Sequence, residues 1–197
     1  MSLLADPRLC GRDATRSSGV APAGRAARAT RAAYGDGVGS GDGNGWVACR
    51  CGERHWGRFG AAGLMLVRGP AAQLPQVLLQ LRADWTHHGG TWGLPGGATD
   101  SHEDATGAAL REAWEETGVP PGDVEVLSTW VGTDHVDWRY TVVIGRERRP
   151  VEAHPANAET TEVRWVAGGR VGELPLHPGL HRSWPELTGV LGALTLA

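Results

Sequence analysis

The chain has 197 residues with a formal net charge of −3, and 41% of its residues are hydrophobic. This length suits one domain of ordinary size plus a tail, with enough apolar side chains for a buried core. The slightly negative charge gives no basic surface for duplex nucleic acid, so we expect no stable nucleic-acid partner. There is no run of about 18 apolar residues, and we expect no secretory signal. We therefore expect a cytoplasmic protein without a membrane partner.

Residues 1–45 differ from the rest of the chain in composition. Six arginines lie among Ala, Gly and Ser, and the segment ends in a stretch rich in Gly and Asp without strong apolar periodicity. Such a composition is typical of a disordered tail. It also resembles an organelle transit peptide, which stays open as an alternative. The folded domain is predicted to span residues 46–197.

The three cysteines are an odd number, which argues against a disulfide framework. Cys49, Cys51 and His55 form a loose Cys-x-Cys-x₃-His group near the predicted start of the domain. A zinc site would need a fourth ligand, for which Cys10 and His102 are the candidates. We favour reduced thiols without a metal here.

Short apolar runs bounded by Gly and Pro predict strands, at residues 61–67, 77–81, 91–94, 124–131, 138–144 and 163–166. A helix is predicted from about residue 103 to about residue 117, because Ser101 and Asp104 have the spacing of a capping box and Gly118 suits a helix end. A second helix is predicted over residues 184–196, with Pro185 in its first turn. Strands interleaved with these helices predict a mixed α/β sandwich.

Four carboxylates come together on the first predicted helix. Glu112, Glu115 and Glu116 stand at positions i, i+3 and i+4 and so share one helix face, and Glu103 precedes them by just over two turns. Like charges this close repel, and a cation is the simplest partner that makes the arrangement favourable. Oxygen ligands without Cys or His suit Mg²⁺ or Mn²⁺ rather than zinc. The competing interpretation is a solvated acidic face with Arg111 as a surface ion-pair partner.

A Gly-rich turn at residues 94–97 leads into this helix, and glycine lets the backbone approach a ligand closely. From this turn onward, residues 97–119 resemble the Nudix box, the signature of the Nudix hydrolases. Eight positions fit the pattern: Gly97, Glu103, Arg111, Glu112, Glu115, Glu116, Gly118 and Val119. Ala113 is the one soft departure, since a larger aliphatic residue is usual there. The likeness extends over about residues 58–190, because the turn and the last predicted strand also look like this family.

The resemblance implies a Nudix-type α/β/α sandwich with a mixed β-sheet, in which the box forms a loop-helix-loop. It also implies an enzyme that hydrolyses a phosphoanhydride bond in a nucleoside diphosphate linked to another group, with Mg²⁺ or Mn²⁺ as cofactor. Signatures of the ADP-ribose, NADH and dinucleoside polyphosphate hydrolases are absent, which leaves a MutT-like (deoxy)nucleoside triphosphate pyrophosphohydrolase.

Other functions stay open at this point. The enzymatic alternative is an ADP-ribose or nucleotide-sugar pyrophosphatase, and the non-enzymatic one is a Nudix-fold nucleotide-sensing module. A zinc-assisted RNA-binding protein is a third alternative, and a homodimer is also open.

By resemblance, the box residues take distinct metal-binding roles. Glu115 and Glu116 are the first-choice ligands, and the Gly96 carbonyl is a candidate backbone ligand. Glu112 is a ligand or the general base, and Glu103 is a ligand or a support.

The remaining predicted roles concern catalysis and substrate. Arg111 is expected to orient a box glutamate through a bidentate pair. In some family members the catalytic general base lies outside the box, and Glu159 and Glu162 are the candidates for it here. The competing interpretation is that both are exposed loop carboxylates without a catalytic role. Gly97 in the phosphate loop is predicted to contact the substrate. An aromatic side chain is also predicted to stack on the nucleobase, although core packing is the competing explanation for each aromatic candidate. The aromatic candidates are Trp92, Trp138, Tyr140 and Trp184.

Overall fold

The computed structural model describes residues 21–22, 41–69 and 74–194. In chain order, the strands are β1 (Ala21–Pro22), β2 (Trp46–Ala48), β3 (Arg54–Trp56), β4 (Ala61–Arg68), β5 (Gln76–Arg82), β6 (Trp92–Gly93), β7 (Gly96–Ala98), β8 (Val124–Asp134), β9 (Arg139–Glu147) and β10 (Thr160–Ala167). The two α-helices are α1 (Ala105–Thr117) and α2 (Pro178–Leu194). Neither described helix is long and apolar enough to cross a membrane.

Eight strands form one mixed sheet in the order β1-β8-β9-β4-β5-β10, with β6 paired to β5 and β7 paired to β4. The central pair β4–β9 is parallel, and the other neighbours are antiparallel. The first residues of β4 also pair with β7, whereas its last residues pair with β5. This exchange of strand partners along β4 holds the predicted Gly-rich turn at the centre of the sheet. The strands β2 and β3 form a separate hairpin.

The two helices cover opposite faces of the sheet. Side chains alternate along β4, so that Leu64 and Leu66 pack in the core beside α1 while Met65 and Val67 pack in the core beside α2. The first seven residues of β4 are all buried, which explains why its sequence is a continuous apolar run. The predicted α/β/α sandwich with a mixed sheet is confirmed.

The helix α1 begins later than predicted. Its N-cap is Asp104, whose carboxylate accepts a hydrogen bond from the backbone N–H of Gly107 at 2.7 Å. The predicted N-cap, Ser101, instead donates its hydroxyl to Asp42 at 2.6 Å. The predicted end is confirmed, because Gly118 adopts a left-handed φ of 69° and its N–H bonds to the carbonyl of Trp114. Alanines on the inner face let α1 lie close to the sheet, and these are Ala108, Ala109 and Ala113.

The predicted start of the second helix is wrong. The helix α2 begins at Pro178, and Pro185 lies inside it. An interior proline removes one backbone hydrogen bond and costs about 3 kcal/mol. Burial of Trp184, Leu187 and Leu191 in the core offsets that cost.

The other predicted strands appear within a few residues of their expected bounds, while the hairpin β2–β3 and the short strand β7 were not predicted. Most of the predicted tail, residues 1–45, lies outside the described residues. Of the described part, Ala21 pairs with Thr129 of β8, and the N–H of Gly43 donates to Asp100 at 2.8 Å. The division into a tail and a domain from residue 46 stays a prediction.

Candidate active site

The acidic face of α1 is turned toward β7 and the loop before the helix, and Arg111 lies among its carboxylates. The guanidinium forms a bidentate pair with Glu103, with donor–acceptor distances of 2.7 and 3.2 Å. It also donates to Glu112 at 2.8 Å, to Glu115 at 3.3 Å and to the carbonyl of Ala98 at 2.9 Å. The bidentate pair expected for Arg111 is therefore present, and its partner is Glu103.

This guanidinium is held in its charged form. Burial alone would lower the pKa of Arg111, but its hydrogen bond to Glu103 and the charge of Glu112 raise the pKa above its usual range. Arg111 thus pairs with three carboxylates, those of Glu103, Glu112 and Glu115. The fourth, Glu116, lies beside Glu112 without a contact to the guanidinium. The cluster keeps an excess of negative charge even when Arg111 is fully paired.

Glu116 is the most enclosed of these carboxylates, with 3% of the residue exposed. Its Oε2 accepts hydrogen bonds from the N–H of Gly96 and from the Gln80 amide, each at 2.7 Å. The Gln80 amide oxygen in turn accepts from the hydroxyl of Thr160 at 2.6 Å. Burial, followed by the charge of Glu112, raises the pKa of Glu116 to about 8, although the two hydrogen bonds act in the opposite direction.

Gln80 was missed by the sequence analysis although a signal was available. It is a single polar residue within the apolar run of β5, and it is 1% exposed. A buried amide needs hydrogen-bond partners, so a polar residue at such a position indicates a polar group facing it from another element. Here that group is the Glu116 carboxylate.

Glu112 lies directly against the glycine turn. A Cβ placed on Gly97 would lie 2.5 Å from Oε1 of Glu112, so only glycine admits the carboxylate at this distance. Burial raises the pKa of Glu112 to about 7; Arg111 opposes this shift, and the charges of Glu115 and Glu159 add to it. A carboxyl group with this pKa can accept or release a proton near neutral pH.

Glu115 is half-buried at the edge of the cluster. Burial raises its pKa, Arg111 lowers it, and the charges of Glu103 and Asp100 raise it again. Asp100 is a second residue that the sequence analysis missed. It is 6% exposed and lies within the box, and its charge acts on Glu115, so it is a further acidic group near the cluster.

The residues of this cluster fit a divalent cation. Their donors are carboxylate oxygens, which Mg²⁺ and Mn²⁺ prefer. The raised pKa values of Glu112 and Glu116 show that burial beside like charges disfavours the ionised forms, and a cation among them would remove that penalty. Gly96 contributes its N–H to Glu116, while a role for its carbonyl as a ligand stays a prediction.

The two candidate bases outside the box lie on different sides of the sheet. The charge of Glu159 raises the pKa of Glu112, so Glu159 lies near the acidic cluster. Glu162 instead pairs with Arg164 at 2.6 Å, and that guanidinium lies 4.7 Å above the ring of Trp92 in the core beside α2. Glu162 therefore points away from α1, and its prediction as a general base is wrong.

Two of the aromatic candidates belong to the core. Trp92 is 5% exposed and Trp184 is 8% exposed, and both pack beside α2, so a base-stacking role is wrong for them. Tyr140 packs partly against the same core, and burial followed by the charge of Glu116 raises the pKa of its hydroxyl. Trp138 stacks on His55 with 4.6 Å between ring centroids.

The chain is similar to a known family model and to proteins from two bacteria. The family model described as the NUDIX domain matches residues 58–186. A Mycobacterium tuberculosis protein, provisionally named 8-oxo-dGTP diphosphatase 3, is 46% identical over 162 residues, which cover 80% of this chain and 74% of that protein. A Bifidobacterium longum protein named as a nucleoside triphosphate pyrophosphatase/Nudix hydrolase fusion is 38% identical over 159 residues, which are 79% of this chain and 33% of the fusion.

Two solved structures share the architecture. The Nudix hydrolase RenU from M. smegmatis superposes with a TM-score of 0.71 and 44% identity, covering 77% of this chain and 96% of RenU. An Ap4A hydrolase from C. elegans superposes with a TM-score of 0.55 and 18% identity, covering 68% of this chain and 98% of that chain. At that identity the second structure shows the shared fold alone.

Proposed function

Because the chain belongs to the Nudix hydrolase family, whose members generally use divalent cations, we propose that it is a Mg²⁺-dependent, MutT-like pyrophosphohydrolase of (deoxy)nucleoside triphosphates. The observation that carries the proposal is the acidic cluster, in which Glu103, Glu112 and Glu115 pair with Arg111 and the buried Glu116 lies beside Glu112. The name of the M. tuberculosis relative favours an oxidised guanine nucleotide such as 8-oxo-dGTP as substrate. We further propose that the protein acts in the cytoplasm.

In the proposed site, Glu115 and Glu116 would hold the cation, assisted by Glu103. When bound, Mg²⁺ neutralises phosphate charge and lowers the pKa of a coordinated water. Manganese offers the same hard-cation chemistry and is the alternative ion.

The side chains of this protein organise the reaction around that ion. Arg111 holds Glu103 and Glu112 in place through its hydrogen bonds. The glycine turn at Gly97 lets backbone and phosphate approach each other without a side chain between them. Glu112 accepts a proton from the attacking water in this proposal, and Glu159 is the alternative base because it lies near the same cluster. The products are a nucleoside monophosphate and pyrophosphate.

The proposal is tested with a substrate panel assayed in Mg²⁺. The panel contains 8-oxo-dGTP, dGTP, ADP-ribose, NADH and a dinucleoside polyphosphate, and pyrophosphate and phosphate are measured separately with identification of the nucleotide product. We expect the triphosphates to give monophosphate and pyrophosphate. Hydrolysis of ADP-ribose alone, with the triphosphates left intact, would contradict the proposed substrate class.

A pair of variants links the activity to the cluster. We expect Glu116→Gln to lower kcat by orders of magnitude while the protein stays folded, because the charge is lost and the shape is kept. Glu162→Gln is the matched control, since that residue lies across the sheet and should keep wild-type turnover. Equal turnover in both variants would refute the assignment of Glu116 as a ligand.

A further inference from the structure

The hairpin β2–β3 is fixed to the turn between β8 and β9 at a point outside the acidic cluster. The backbone N–H of Arg50 donates to Asp137 at 2.8 Å, and the Arg50 guanidinium pairs with the same carboxylate at 2.7 Å. This contact joins residues 87 positions apart in the chain. It brings a Cys-x-Cys turn next to a histidine of the β8–β9 turn.

Four potential metal ligands meet at this junction. One sulfur or nitrogen atom from each of Cys49, Cys51, His55 and His135 lies within 4.8 Å of every other. The Cys51 sulfur is 3.3 Å from Nε2 of His55, and that nitrogen is 2.8 Å from Nδ1 of His135. A tetrahedral zinc ion, with bonds of about 2.3 Å to sulfur and about 2.0 Å to nitrogen, separates its ligand atoms by about 3.3–3.8 Å. Small side-chain adjustments would therefore produce the geometry of a zinc site.

We propose that Cys49, Cys51, His55 and His135 bind one structural Zn²⁺ ion. The sequence alone favours reduced thiols, with Cys10 and His102 as the candidates for a fourth ligand. The structure supplies His135, which lies 80 residues from His55 in the chain. The earlier candidates do not take this place, since His102 groups with Asp42 and Asp100 and Cys10 lies outside the described residues.

The surroundings of the four ligands hold them in position. The ring of His55 stacks on Trp138 with an interplanar angle of 16°, which fixes the direction of its nitrogen. The N–H of Cys51 points at the Cys49 sulfur at 3.4 Å, a contact that favours a thiolate. Gly52, with φ of 96°, closes the turn by donating its N–H to the carbonyl of Cys49 at 2.9 Å.

This turn explains how the closely spaced Cys49 and Cys51 can bind the same ion. Structural zinc sites commonly separate paired cysteines by two to four residues, whereas here one residue separates them. Because the tight turn folds the chain back at Gly52, both sulfurs still reach the same point.

The donor set defines the type of site. Two thiolates and two imidazoles complete a tetrahedron and leave no open position, which is the arrangement of structural rather than catalytic zinc. Sulfur and nitrogen donors also separate this site from the acidic cluster, whose oxygen donors suit Mg²⁺. The zinc would cross-link β2–β3 to β8–β9, so its binding free energy would add to the stability of the fold.

A second histidine cluster provides a control. His87, His88 and His177 also place their nitrogens within 4.8 Å of one another, but they offer no thiolate and only three ligands. His177→Gln should therefore keep the proposed zinc, whereas His135→Gln should lose it.

The first test measures the metal in the full-length protein expressed with zinc in the medium, using inductively coupled plasma mass spectrometry. We expect one zinc per chain in the wild type and in His177→Gln, and almost none in Cys51→Ser and His135→Gln. Zinc that persists in Cys51→Ser but disappears in His177→Gln would overturn the proposal in favour of the histidine cluster.

The second test does not depend on whether the variants fold. The chelator-treated wild type is titrated with Co²⁺, and the proposal predicts saturation at one equivalent, with thiolate-to-cobalt charge-transfer bands and the intense visible bands of tetrahedral cobalt. Alkylation of Cys49 and Cys51 by iodoacetamide should be slow with zinc bound and fast after chelation. Absence of these bands, or a disulfide between the two cysteines in the freshly purified protein, would overturn the proposal.

Discussion

Replacing Arg111 by methionine should reveal how much of the fold's stability depends on charge balance in the acidic cluster. The substitution keeps most of the side-chain volume but removes all the hydrogen bonds that the guanidinium donates to Glu103, Glu112 and Glu115. The side chain of Arg111 is 18% exposed, and those of its partners are 11–29% exposed, so the remaining carboxylates would be left largely buried without a counter-charge.

The expected magnitude follows from that burial. Removing one partner of a buried ion pair typically costs about 3–5 kcal/mol, and we expect the lower end, about 3 kcal/mol, because Glu115 keeps partial contact with solvent. Arg139→Met is the matched control, since Arg139 pairs with Asp134 with side chains 57% and 53% exposed. An exposed pair of this kind contributes about 0–1 kcal/mol.

The measurement is urea unfolding followed by tryptophan fluorescence, in EDTA and in excess Mg²⁺. Arg111→Met should lower the free energy of unfolding more in EDTA than in Mg²⁺, because a cation bound among the carboxylates replaces part of the missing charge. If Arg111→Met and Arg139→Met lowered the free energy of unfolding equally, the reasoning about buried charge would be refuted. An unchanged loss in Mg²⁺ would show that the ion does not bind at this cluster.

Three further predictions follow from individual contacts. Gly97→Ala should lower kcat about 100-fold with little loss of stability, because the added Cβ would displace the Glu112 carboxylate. Gly122→Ala is the control: a Cβ there would have no atom within 4 Å, so kcat and stability should stay unchanged in the same assays. Gln80→Leu should lower the free energy of unfolding by about 1–3 kcal/mol in urea titrations, because Glu116 loses a buried hydrogen bond; an unchanged value would contradict the bond. Burial, followed by nearby charges, lowers the pKa of His177 from 6.5 to about 4, so the unfolded chain binds the proton more readily and stability should fall as pH drops from 6.5 toward 4. Across that range the free energy of unfolding of the wild type should fall by about 1–2 kcal/mol more than that of His177→Gln, after allowance for solvent screening. Parallel pH profiles of the two proteins would show that His177 does not cause the loss of stability.

Local spacing explains which parts of the site were predictable. Glu112, Glu115 and Glu116 lie within a helix, and helical geometry alone puts them on one face. Gln80 was not predicted as a partner because it lies 36 residues from Glu116, and His135 was missed as a ligand because its partner His55 is 80 residues away. Such contacts depend on which strands are neighbours in the sheet, which the residue pattern of a single strand does not specify.

The same reasoning accounts for the errors at element level. The strands β2 and β3 have three residues each and carry polar side chains such as Arg54 and His55, so they lack the alternation that marks a half-buried strand. Pro185 was taken as the start of a helix because proline suits a first turn. In the structure Pro178 takes that position, and packing against the sheet keeps the helix continuous through the second proline.

The two metal sites inferred for this protein should respond differently to chelation, because their donors differ in kind. Carboxylates bind Mg²⁺ weakly and reversibly, whereas two thiolates and two imidazoles bind Zn²⁺ tightly and contribute to folding. Mild chelation should therefore abolish pyrophosphohydrolase activity without changing the melting temperature much, and Mg²⁺ alone should restore it. Prolonged chelation should also remove zinc and lower the melting temperature, and that loss should reverse only when Zn²⁺ is returned. If Mg²⁺ alone restored both properties, the stability change would belong to the acidic cluster and not to the junction of β2–β3 with β8–β9.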